Sequence, residues 1–167
     1  YGYRDGVITP IVKDFSVWRD QSRRFALDST EHSIGGVYQA VSRYVFGSMS
    51  DTGKLMGLGP YGQRGTIADR IFSVVDGRVI VDHDVLSQLD RPSAGHDDLV
   101  QNFDYYAAVA RWVQDEIERT LVELVSDRMS RVPTRRLAYA GGVALNAAAN
   151  GALLDHPMID ELFIQPA

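Results

Sequence analysis

Residues 139–151 read YAGGVALNAAANG. A strand ends at Tyr139 and Ala140, two glycines follow, and then come small residues that a helix accepts. Upstream, RRLAYA (135–140) has strand character once Pro133 has broken whatever helix precedes it; downstream, ELFIQP (161–166) reads as a second strand. The residues VALNAAANGALL (143–154) between them predict a helix closed at or near Gly151. The C-terminal third is therefore a β-α-β unit with a right-handed crossover, which places the chain in the α/β class.

Working outward, Leu99, Phe103, Tyr106, Ala110, Val113, Ile117, Leu121 and Leu124 recur at helical spacing and predict one long amphipathic helix over 98–130. Its charged residues Asp115, Glu116, Glu118, Arg119 and Glu123 are expected to form a solvated face. Two pairs of short apolar runs flank Asp5-Gly6 and Asp76-Gly77, the residue types of tight hairpin turns. The first hairpin, within 1–13, is expected to join strands 136–140 and 160–164 in one mixed sheet. The second lies in an expected insertion at about 64–97. Between them, SIGGVYQAVSRYVFG (33–47) predicts a helix with a flexible first turn, capped by Ser33 or Thr30. The stretch SDTGKLMGLGPYGQRG (50–65) is expected to be a mobile, glycine-rich connection.

The 167 residues are 45% hydrophobic and 23% charged, enough for one globular domain or half of a bilobal one. A net charge of −5 and a pI near 5.3 give no general footprint for nucleic acid or an anionic membrane. There is no cysteine, so disulfide frameworks and thiolate zinc sites are excluded, as suits a cytoplasmic protein. No apolar run approaches the roughly 18 residues of a membrane span. The chain starts at Tyr1 without a basic leader, which reads as an excerpt from a longer protein.

Chemistry gathers in two stretches. At Gly141-Gly142, a strand-to-helix junction offers backbone N–H groups and the positive end of a helix dipole, an arrangement suited to phosphate or a nucleotide. Asn146 is placed to orient a base or ribose. The alternative is that Gly141, Gly142 and the alanines permit close helix–sheet packing; the lysine and hydroxyl of a P-loop and the G-x-G-x-x-G fingerprint are both missing. In the second stretch, Lys54 stands among Gly53, Gly57 and Gly59, where it is either a point charge for a phosphate or carbamoyl oxygen or part of an exposed turn. His32, His83, His96 and His156 show no metal-ligand spacing and have no assigned role.

Taken together, SIGGVYQAVSRYVFG followed by GKLMGLGPYG and, about 80 residues later, LAYAGGVALNAAANGALL and FIQPA resemble the O-carbamoyltransferase family of antibiotic biosynthesis and nodulation-factor modification. The similarity runs from about residue 30 to the end and is weakest across 64–97. The resemblance implies an actin-like, ribonuclease H-like mixed sheet with flanking helices, related to the tRNA threonylcarbamoyl transferase, of which this chain would be the second lobe. It implies carbamoyl transfer from carbamoyl adenylate, made from carbamoyl phosphate and ATP, to a small-molecule hydroxyl acceptor. Ser33, Gly35, Gly57, Gly141, Gly142 and Asn146 fall to the nucleotide, and Lys54 to catalysis. A divalent metal, expected to be iron, would be held by an H-x-x-x-H pair and a G-D-x-G aspartate that this segment lacks; the segment alone is expected to be inactive without the remainder of the polypeptide. Gly59 and Ala147 depart from the family's commoner alanine and cysteine. The tRNA-modifying enzyme and a non-catalytic actin-like nucleotide-binding module stay open as alternatives.

Overall fold

A computed structural model describes residues 1–12, 33–89 and 94–165. The polar stretch 14–32, with Thr30 and His32, lies outside the described residues.

Both Asp-Gly pairs turn hairpins. Strands β1 (Gly2–Arg4) and β2 (Val7–Thr9) pair antiparallel, as do β3 (Phe72–Val75) and β4 (Arg78–Val81). Asp5 and Gly6 take φ of 50° and 83°, Asp76 and Gly77 51° and 72°, the paired positive values that match the twist of the flanking strands. The first hairpin does not join the C-terminal strands. The described strands form three separate two-stranded sheets, and Gly2 packs instead beside Val132, ahead of the strand that begins at Arg136. Pairing needs alignment of backbone edges, which apolar patterning alone does not specify.

Helix α1 (Ile34–Phe46) begins at Ser33, whose Oγ accepts from Gly36 N–H at 2.8 Å, and ends at Gly47 with φ 76°. The expected mobile connection is instead helix α2 (Thr52–Leu58), followed by a 3₁₀ turn at Gly59–Tyr61. Leu55 and Leu58 are buried in the core, and that burial outweighs the helix cost of Gly53 and Gly57. Short helix α3 (His83–Ser87) follows the second hairpin, capped by Asp82.

The predicted long helix is interrupted once. Helix α4 (His96–Gln101) ends at Asn102, whose Nδ2 donates to Asp98 Oδ1 at 2.7 Å, and α5 (Phe103–Ser130) then runs unbroken for 28 residues. This helix is the spine of the molecule: α1, α2, the Gly59–Tyr61 turn, the second hairpin and α6 (Ala147–Leu154) all pack on it. Val109, Val113 and Ile117 are fully buried along it and contribute about 1.5–3 kcal/mol each.

The supposedly solvated face is only partly so. Glu116 is buried and accepts from the backbone N–H groups of Ile71 at 2.9 Å and Phe72 at 3.4 Å, while Arg119 bonds both Glu116 and the carbonyl of Phe72. The second hairpin covers these residues, and their charge is spent on its backbone. At the C-terminus, β5 (Arg136–Tyr139) and β6 (Glu161–Ile164) pair in parallel across α6, as the β-α-β pattern requires.

Candidate functional site

The junction between β5 and α6 is more elaborate than a strand running into a helix. Gly141 takes φ 105° and ψ 177°, a conformation closed to other residues, and a 3₁₀ turn (Gly142–Leu145) intervenes. Asn146 is not inside the helix but caps it, its Oδ1 accepting from Ala149 N–H at 3.0 Å. Four residues on, Asn150 donates through Nδ2 to the carbonyl of Ala144 at 2.8 Å. The two asparagines of N-x-x-x-N thus fasten the turn from both sides, and α6 continues through Gly151 to Leu154.

This turn faces the first turn of α1 across a cleft of about 920 Å³ that also reaches α2, the tip of the second hairpin and the side of α5. Ser33, Gly35, Gly142 and Asn146, separated by more than 100 residues of sequence, line it together, with Tyr38, Thr52 and Arg128. Gly35 is explained by packing, since a Cβ there would stand 3.2 Å from Val143 Cγ2. Gly142 is not: a Cβ at that position meets no described atom within 4 Å, so its bareness keeps space open rather than admitting a neighbour.

Lys54 and Gly57, although on α2, are outside the cleft lining, and so is Gly141. The Lys54 side chain is 66% exposed and holds Asp51 at 3.0 Å. Gly57 faces open space.

Beneath the cleft floor lies a polar network that patterning did not reveal. Gln114 of α5, 2% exposed, accepts from Tyr38 O–H at 2.9 Å and from Asn146 Nδ2 at 3.0 Å, and donates through Nε2 to Asn146 Oδ1 at 3.1 Å and Glu118 Oε1 at 3.0 Å. Burial pushes the Tyr38 hydroxyl well above the usual phenolic range, so it stays a neutral donor. Gln114 occupies an apolar position of the α5 period, and a polar residue on a core stripe was the one available signal. Among the described residues, the cleft's only charged lining residue is Arg128, which donates to the carbonyl of Gly77 and to Asp127. Among the described residues no three His, Asp or Glu side chains gather as a metal site.

The cleft is thus lined by glycines at a strand–turn–helix junction and floored by the amides of Gln114 and Asn146. Sequence comparison names the class: residues 5–167 match the carbamoyltransferase N-terminus, and the chain belongs to that family. It is 28% identical over 144 residues to the nodulation protein NolNO of Sinorhizobium fredii, covering 81% of this chain and 21% of that protein. It is 31% identical over 147 residues to the nodulation protein NolO of Bradyrhizobium diazoefficiens, covering 82% and 26%. A further relative, from Synechocystis sp., is 27% identical over 155 residues, covering 81% and 25%. The chain thus spans about a quarter of the length of the curated relatives it matches. Among the described residues, no helix is long and apolar enough to cross a membrane.

Proposed function

We propose that this chain forms part of the donor site of an O-carbamoyltransferase, which moves a carbamoyl group from carbamoyl adenylate to a hydroxyl of a small-molecule natural product. Carbamoyl phosphate and ATP supply the adenylate, in the cytoplasm. The observation that carries the reading is the convergence of Ser33, Gly35, Gly142 and Asn146 on one cleft within a carbamoyltransferase-family chain.

The cleft's parts suit a nucleotide. Ser33 Oγ accepts from Gly36 and keeps its own O–H to donate. The first backbone N–H groups of α1 have no partner inside the helix, which favours an anionic or carbonyl oxygen there. Space beside Gly142 admits a flat or bulky group. The small apolar side chains of Ile34, Met56 and Val143 exclude water around it.

In the reaction, the acceptor hydroxyl oxygen bonds to the carbamoyl carbon, the bond from that carbon to the phosphate oxygen breaks, AMP departs and the hydroxyl proton is lost to a base. Negative charge grows on the carbonyl and leaving oxygens. Fixed donors of the cleft hold the leaving side, and Lys54, one residue beyond the cleft-lining Gly53, serves the transferred group. In this reading the parallel β5–α6–β6 unit and its open edges belong to the second lobe of an actin-like bilobal domain completed by the remainder of the polypeptide.

Gly142→Val tests the site in the full-length enzyme. The described packing leaves room for the added side chain, so the variant should fold with a melting temperature near wild type, yet bind ATP at least tenfold more weakly, a difference of about 1.4 kcal/mol. Unchanged ATP affinity by calorimetric titration of the folded variant overturns the nucleotide assignment.

A further inference from the structure

We infer that Arg128 receives the phosphate-bearing end of the ligand, and that the tip of the second hairpin holds its guanidinium at the cleft for that purpose.

Charge selects this residue. The cleft is lined by glycines, apolar side chains and neutral donors such as Ser33, Thr52 and Asn146; among the described residues no Asp or Glu lines it. A cation facing a cavity without a carboxylate suits an anion that arrives with the ligand. Nor does its neighbour neutralise it, because Asp127 is shared: Arg128 meets that carboxylate at 2.9 Å and Arg131 meets it at 2.8 Å. A pair of arginines on a single aspartate leaves surplus positive charge at this end of the cleft. The Arg128 side chain is 24% exposed, so water screens that charge only in part.

The guanidinium is held without being saturated. From the last turn of α5 it donates through one terminal nitrogen to the carbonyl of Gly77 and through the other to Asp127 Oδ2. Those bonds engage two of the five N–H groups of a planar fork whose geometry matches phosphate oxygens. Gly77 is required on two counts: its φ is 72°, and a Cβ there would collide with the Arg128 guanidinium and the Asp127 carboxylate. The hairpin tip is thus shaped around the arginine.

Position then gives the cleft a direction. Gln114, which bonds Asn146, and Arg128 lie roughly four turns apart on α5, about 20 Å of helix axis. Neutral donors of the Gly142–Asn146 turn therefore occupy one end and the guanidinium the other, with Ile117 and Leu124 as apolar wall between them. A ligand with a neutral polar body and an anionic end matches this order. For a nucleotide, base and ribose lie toward the turn and the phosphates toward Arg128. The inference rests on the reading of the cleft as a nucleotide site and adds its polarity.

Calorimetric titration of the full-length enzyme with ATP and with adenosine, which shares the base and ribose but has no phosphate, tests it. Arg128→Met should weaken ATP binding about 10–100-fold, as expected for lost hydrogen bonds to a charged group, while adenosine affinity stays within about twofold. Arg128→Lys keeps the charge but not the fork and should fall between wild type and Arg128→Met. Unchanged ATP affinity in Arg128→Met, or equal loss of ATP and adenosine, overturns the phosphate assignment; the latter result would make Arg128 a brace for the hairpin tip and the C-terminal end of α5. Should Arg128→Met fail to fold, Arg128→Lys carries the comparison: a reduced preference for ATP over adenosine supports the assignment, and a wild-type preference overturns it. Gly142→Val separates the two levels of the argument. If that variant binds both ligands as wild type does, the nucleotide reading falls; if it weakens both while Arg128→Met changes neither, only the role of Arg128 falls.

Discussion

Lys54 pairs with Asp51 one helical turn away, yet remains largely in water, so the pair itself contributes little to stability, roughly 0–1 kcal/mol. Such a lysine is free to change partners when a more strongly charged group arrives. If it serves the transferred carbamoyl group, its charge matters more to the transition state than to bound nucleotide, since negative charge grows during attack. Lys54→Met in the full-length enzyme should then lower kcat by about 10²–10³ with ATP affinity roughly preserved. Steady-state carbamoyl transfer decides this, and near-wild-type kcat returns Lys54 to the role of a surface residue bonded to Asp51. The glycines divide by cause at the same scale. Gly141 answers to a backbone angle, Gly35 to the close approach of Val143, and Gly142 to neither.

At the scale of elements, α5 owes its position to polar as well as apolar contacts. Glu116 holds the start of the second hairpin by two backbone N–H groups, and Arg119 braces both the carboxylate and the carbonyl of Phe72. Glu116→Ala would leave a buried donor without a partner and remove a bond that fixes β3 to the helix. The expected cost is about 1–3 kcal/mol, measured as a lower denaturant midpoint with an unchanged slope. A variant as stable as wild type would show that the hairpin is held by Ile71, Phe72, Val79 and Val81 alone. The hairpin tip matters to the cleft, because Gly77 and Val79 line one end of it.

For the whole molecule, the open surfaces are the telling feature. Phe163 is 64% exposed, and Tyr3, Ile8, Leu145 and Leu154 are exposed as well, while the described sheets have only two strands each. A two-stranded sheet is marginal by itself and its unpaired edges invite further pairing. Under the proposed reading, cover for these surfaces comes from the remainder of the polypeptide. Residues 1–167 prepared alone should therefore self-associate with rising concentration in sedimentation velocity, and the full-length protein should not. A segment that stays monomeric would show that these surfaces need no cover.

Local chemistry was legible wherever a residue's effect stays within a few positions. Asp-Gly fixed both hairpin turns because left-handed backbone favours those residues, Ser33 fixed a helix start because its oxygen satisfies a nearby N–H, and the β5–α6–β6 order followed from two periods and a proline. Family membership, too, was readable from K-x-M-G-L-x-P-Y-G and A-G-G-V-A-L-N-x-x-x-N-G. What the sequence left undecided were the outcomes of long-range competition. Glycine content argued for a mobile loop at 52–58, but burial of Leu55 and Leu58 against α5 made a helix; periodicity put Glu116 in water, but the hairpin folded over it. The first hairpin's sheet partner and the Gln114–Asn146 hydrogen bonds depend on which distant backbones and amides meet. Such meetings are set by three-dimensional packing, because the energy of a hydrogen bond depends on a partner's position and orientation and not on its distance along the chain.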